Sequence, residues 1–155
     1  MSASDRLLSL FVDGVAVPMS SLPNADNPSL VDTLPLPANL TVIAVAAAAE
    51  AGEPAWLIAA DLLGRVMTNS SWRCSEVEYS HWMMPTYDSS WWLPAAIKNV
   101  SATRQQLAPI SSTAAVGIWT QNATAYTTYC RLDISESAKD IPSQNSHKHL
   151  SAALD

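Results

Sequence analysis

Short apolar runs alternate with turn-forming residues along most of this chain, and nearly every run has the length of a strand. Leu7 to Val12 is followed by Asp13-Gly14, a pair favoured in two-residue hairpins, and Val15-Ala16-Val17 resumes beyond it. A β-hairpin is therefore predicted to open the domain. Pro18 to Pro28 collects Pro, Ser, Asn and Asp and reads as an irregular loop. Leu30 to Leu36 alternates weakly and ends at Pro35 and Pro37, which places it as an edge strand, where a missing amide does no harm. Leu40 to Val45 carries the best β-branched cluster and is expected as the central strand. It is expected to fray into a turn over Ala46 to Ala49, before Gly52-Glu53-Pro54. Ala55 to Ala60 with Leu62-Leu63 and Val66-Met67 predict a further pair, and Ala95 to Val100, Ala114 to Thr120 and Tyr126 to Ile134 complete the strands. No segment has a convincing helical period. The pattern predicts an all-β fold, an antiparallel β-sandwich or jelly roll, over residues 1–134, with a polar tail or linker over 135–155.

Composition narrows the class. At 155 residues the chain is long enough for one domain with one sizeable core. Charged residues make up 14% and the net charge is −6, with no cluster of Lys or Arg. This argues against nucleic acid, which needs a basic face, and against an anionic membrane surface. No run approaches the ~20 apolar residues that span a bilayer, so no membrane insertion is expected. Met1 is not followed by a basic and then an apolar region, so no leader is visible. Cys74 and Cys130 are the two cysteines; they form either a disulfide or a pair of buried thiols. Asn39, Asn69, Asn99 and Asn122 each open an Asn-x-Ser/Thr acceptor, a weak pointer to a secreted glycoprotein.

Chemistry-bearing residues gather in one place. Between Cys74 and Asp88 a long loop carries Tyr79, His81, Trp82, Met83, Met84 and Tyr87, and Trp91-Trp92 follows. A loop this aromatic either packs on something or binds something. A catalytic triad is not indicated: His147 and His149 lie in the polar tail and no Gly-x-Ser-x-Gly elbow is present. Glu76, Glu78 and Asp88 are the only carboxylates near the loop, and turn or surface roles are expected of them rather than glycosidic acid chemistry. With four glycines there is no phosphate-cradling loop, so no cofactor is expected, and His147-Lys148-His149 lacks the further ligands of a metal site. Asn24, Asp26 and Asn27 are either a turn-forming loop or a calcium loop without the glycine and distal Glu of an EF-hand.

Several stretches, in order, resemble the galactose-binding-like jelly-roll domains. They are Phe11 to Val15, Val31-Asp32-Thr33, Leu40 to Val45, Pro54 to Ala59, Thr68 to Ser75, Tyr87 to Trp91 and Ile118-Trp119-Thr120. The resemblance covers residues 5–134. It departs from the pattern at Trp56, where a small residue is usual, and at the doubled Trp91-Trp92. It implies core positions for Trp72, Trp91 and Trp119, and sugar binding in an extracellular, lectin-like setting. Sugar rings stack on Trp and Tyr while polar groups at the rim take the hydroxyls. The expectation is a non-catalytic carbohydrate-binding module with ligand-binding residues His81, Trp82, Tyr87, Trp92, Trp56 and Arg73. The rival is a structural or interaction domain of an extracellular assembly, meeting a protein partner or a second copy through the same aromatics.

Overall fold

The computed structural model describes residues 1–51, 55–100, 110 and 113–134. The tail over 135–155, with His147 and His149, lies outside the described residues, as does Gly52-Glu53-Pro54.

Among the described residues ten strands build two antiparallel sheets: β1 (Ser2–Ala3), β2 (Arg6–Val12), β3 (Val15–Ala16), β4 (Val42–Ala48), β5 (Leu57–Ile58), β6 (Arg73–Ser75), β7 (Leu93–Pro94), β8 (Ala96–Lys98), β9 (Gly117–Trp119) and β10 (Thr127–Asp133). The smaller sheet has the order β1-β5-β9-β8 and the larger β3-β2-β4-β10-β6-β7. The fold is all-β and sandwich-like, and one short 3-10 turn, Met19–Ser21, interrupts the Pro18 to Pro28 loop. The hairpin forms where Asp13-Gly14 predicts it: Asp13 and Gly14 both take positive φ, 51° and 80°, and Val12 pairs with Val15. Asp13 Oδ1 accepts bonds from the amides of Thr41 and Val42 and from the Thr41 hydroxyl, which fastens the hairpin to the start of β4.

Strand β4 is the middle of the molecule. It pairs with β2 on one side and β10 on the other, and from Val42 to Ala47 every residue is buried. Ile43, Val45 and Ala47 face the main core between the sheets, among Leu7, Leu10, Leu57, Ile118 and Trp119. Ala44 and Ala46 face the opposite way, under Trp82 and Trp92. The alanine run therefore continues the strand instead of fraying: a strand covered on both faces has room only for small side chains where large rings lie on it.

The edge strand predicted over Leu30 to Leu36 does not form. Prolines at 35 and 37 cannot donate to a ladder, and the segment instead crosses the sandwich mouth, with the Asp32 amide donating to the Met1 carbonyl at 3.0 Å. Leu62-Leu63 is not a strand either. Ala60 bridges to Met67, and Asp61 to Gly64 is the exposed turn between them, with Gly64 at φ 72°.

Cys74 and Cys130 are joined, 56 residues apart in sequence. They face each other directly across β6 and β10, so the bond links neighbouring strands of one sheet.

Candidate functional site

The outer face of the larger sheet should be its polar face, and it is not. Phe11, Ala44, Ala46, Tyr129 and Arg131 occupy it, and the chain from Glu76 to Trp92 folds over them. That chain is a succession of tight turns: the Trp82 amide donates to the Tyr79 carbonyl, Met84 to His81, Tyr87 to Met84, and Trp92 to Ser89. His81 takes φ 61°, and its side chain is exposed. Asp88 caps its turn, Oδ1 accepting from the Ser90 amide at 2.9 Å, and these Ser90 bonds hold its carboxyl below the usual carboxylate range.

Rings fill the space beneath. Trp82 is 1% exposed; it stacks on Trp92 at 6.2 Å between centroids, and Phe11 and Tyr129 present edges to it. Trp92 donates from Nε1 to the Tyr87 hydroxyl at 3.2 Å. Burial, and then the Glu78 carboxylate beside it, raise the Tyr129 phenol above its ordinary range.

Arginines clamp this layer to the sheet. Arg131, on β10, is 0% exposed and donates from Nη1 to the carbonyls of Trp82 at 2.6 Å and Met84 at 3.2 Å, while Nη2 pairs with Asp133. Its guanidinium lies 5.5 Å from the Tyr87 ring centroid. Ser89 donates to the other Asp133 oxygen at 2.8 Å, and Arg73, on β6, donates to the Trp92 carbonyl at 3.0 Å.

These positions engage most of the residues expected to bind in packing and hydrogen bonds within the domain. Trp82 and Trp92 are walled in by other rings and offer no face to a sugar, Tyr87 is held half-buried between Trp92 and Arg131, and Arg73 is a clamp. Trp56 lies in a separate buried cluster with Ile58, Val100, Ile110 and Ala115, against Gly117, where an added Cβ would come within 2.7 Å of Val100. Of the residues named from sequence only His81 is exposed. The ring expected in the core, Trp91, is the exposed one, at 55%, whereas Trp72 and Trp119 are buried as expected.

Trp91 borders a groove of about 260 Å³ between the loop and the turn after β9, with Glu76, Tyr79, Leu93, Gln121 and Asn122 around it. Tyr79 and Trp92 meet the Trp91 ring nearly at right angles, 81° and 84°, with centroids at 4.8 and 6.2 Å. Asn122 donates from Nδ2 to Glu76 Oε2 at 2.6 Å, and Gln121 from Nε2 to the Pro94 carbonyl at 2.6 Å. The groove thus combines a propped aromatic face with an oriented carboxylate and two amides.

In the first loop, Asn24 donates to Asp32 Oδ1 from both its amide and its side chain. Among the described residues no three His, Cys, Asp or Glu side chains are grouped to hold a metal ion, and no helix is long and apolar enough to cross a membrane. The chain matches no protein-family model, no curated protein and no solved structure.

Proposed function

We propose that the domain is a non-catalytic, lectin-like carbohydrate-binding module whose saccharide lies across Trp91. The supporting observation is the ring itself: half-exposed, braced from two sides, and flanked by Glu76, Gln121 and Asn122. A pyranose has an apolar C–H face for such a ring and equatorial hydroxyls for a carboxylate and amides at the rim. Bracing matters because a ring already held in place loses little rotamer freedom on binding. The likeness to galactose-binding-like jelly-roll domains agrees with this use, as does the Cys74–Cys130 bond with a secreted or surface-displayed protein.

Trp91→Ala is expected to weaken glycan binding at least about tenfold, the scale of a lost stacking contact, while leaving thermal unfolding nearly unchanged. Trp82→Ala is expected to do the reverse, lowering the melting temperature through a cavity. A glycan array that stays silent for the folded protein would sink the proposal.

A second reading has its own observation. Leu93, beside Trp91 in the groove, and Ile97 are 60% and 54% exposed on the edge strands β7 and β8. A protein partner or a second copy would cover such exposed apolar side chains. Sedimentation showing association abolished by Ile97→Lys, with glycan binding absent, favours this reading over the first.

A further inference from the structure

A second cavity, remote in character from the Trp91 groove, opens where the 31–36 segment crosses the sandwich mouth. It measures about 330 Å³, and its walls are apolar side chains including Val31, Leu34, Leu36, Val66 and Ile110. At its mouth stand Leu62 and Leu63, 95% and 73% exposed on the turn that Gly64 closes. Leucines so placed are unfavourable in water, and a molecule filling the cavity would take part of their surface out of it.

Three residues with charged side chains line it: Asp32, Asp61 and Arg65. Two of them satisfy each other. Arg65 Nε donates to Asp61 Oδ2 at 2.9 Å, the Val66 amide donates to Asp61 Oδ1, and Arg65 Nη1 donates to the carbonyls of Pro37 and Ala38. Asp32 is different. It is 3% exposed; Oδ1 takes both bonds from Asn24, and Oδ2 is buried without a hydrogen-bond partner. A buried carboxylate oxygen left unpaired is costly, and the cost falls when a donor reaches it. The amine of Met1, a residue that also lines the cavity, donates to the Asp32 backbone carbonyl rather than to the side chain. Burial outweighs the Asp32 attraction and lowers a free Met1 amine to about 6, so near neutral pH that amine is a weak partner for the Asp32 side chain.

We propose that this cavity binds a small cationic amphiphile, an apolar body of about eight carbons bearing a protonated amine, with the ammonium on Asp32 Oδ2. The alkyl chain lies along Leu34, Leu36 and Val66 and under Leu62 and Leu63. Anionic amphiphiles are rejected by the same carboxylate.

The test is a titration of the protein with octylammonium chloride, octan-1-ol and octanoate, followed on the methyl resonances of Val31, Leu34, Leu63 and Ile110. Saturable shifts with octylammonium are expected, about tenfold or more weaker with octanol, and none with octanoate. Asp32→Asn, which keeps the oxygen that Asn24 uses, is expected to reduce octylammonium binding to the octanol level. Absence of saturable shifts below the onset of micelle formation overturns the proposal, as does equal binding of the ammonium and the alcohol, or undiminished binding by a folded Asp32→Asn variant. The headgroup comparison on the unsubstituted protein is decisive even where that variant does not fold.

Discussion

Arg131 holds the aromatic layer in place through groups that water would otherwise serve. Its guanidinium is fully buried, and it meets the carbonyls of Trp82 and Met84, the Asp133 carboxylate and the face of Tyr87. Removing it strands the buried Trp82 carbonyl and the part-buried Met84 carbonyl and opens a hole beside a packed ring. Arg131→Ala is accordingly expected to cost about 3 kcal/mol of unfolding free energy in urea. A loss below about 1 kcal/mol would show that the layer is held by ring packing alone. Sequence shows this residue only as one polar position on an alternating strand, which ordinarily means an outward, solvated side chain. The alternation is real, but the outward face is covered, and nothing local records what covers it. The same limit explains the exchange of roles between Trp91 and Trp82. Tryptophans in a succession of turns carry no period, so their direction is set by ring contacts with Tyr79 in the same loop and with Phe11 and Tyr129 on β2 and β10. Local signals were readable where the chemistry is local, as in the Asp13-Gly14 hairpin and the Asp88 cap.

At the level of elements, β10 and β6 are joined twice, by their ladder and by Cys74–Cys130 in direct register. The bond closes a segment of 56 residues that contains the whole aromatic loop. Loop-closure entropy of that size corresponds to about 4 kcal/mol. The double variant Cys74→Ser, Cys130→Ser is expected to lose stability of that order in urea, with the Trp91 groove preserved in whatever fraction stays folded. Unchanged stability would mean that the denatured chain is already restricted by its own ring contacts. Strand β4 shows why sequence marks elements unevenly. Its first half is β-branched and legible, whereas Ala46 to Ala48 reads as a turn because alanine has little strand preference. Packing decides there, since Trp82 and Trp92 occupy the space that larger residues would need. Leu30 to Leu36 fails for the converse reason: its alternation suits a strand, but its prolines and its path over the cavity leave it without a partner.

At the scale of the molecule, a free amine at Met1 makes stability depend on pH. Burial lowers the Met1 amine from 8.0 to about 6 despite the attraction of Asp32. The unfolded chain therefore binds more protons between these values, and stability rises with pH across that window. The contribution is complete above about pH 8 and lost as pH falls towards 6, amounting to at most about 3 kcal/mol. In a chain that starts with the free Met1 amine, urea midpoints are expected to climb from pH 6 to pH 8. An acetylated amine should flatten that rise, and identical profiles for the two forms would refute the assignment. The two-layer all-β architecture follows from strand lengths and turn residues, which is why it was legible. The jelly-roll connectivity implied by the resemblance concerns long-range strand order, which short motifs do not encode.

The uneven burial of the six tryptophans has an optical consequence. Trp56, Trp72, Trp82, Trp92 and Trp119 are sealed from solvent, and Trp91 alone is open. Native emission should divide into a blue-shifted majority that acrylamide barely touches and one red-shifted component that it quenches readily. That component is a built-in reporter at the groove. A saccharide settling on the ring would shield it and shift it to shorter wavelength without any label, and a ligand that leaves it unchanged binds elsewhere.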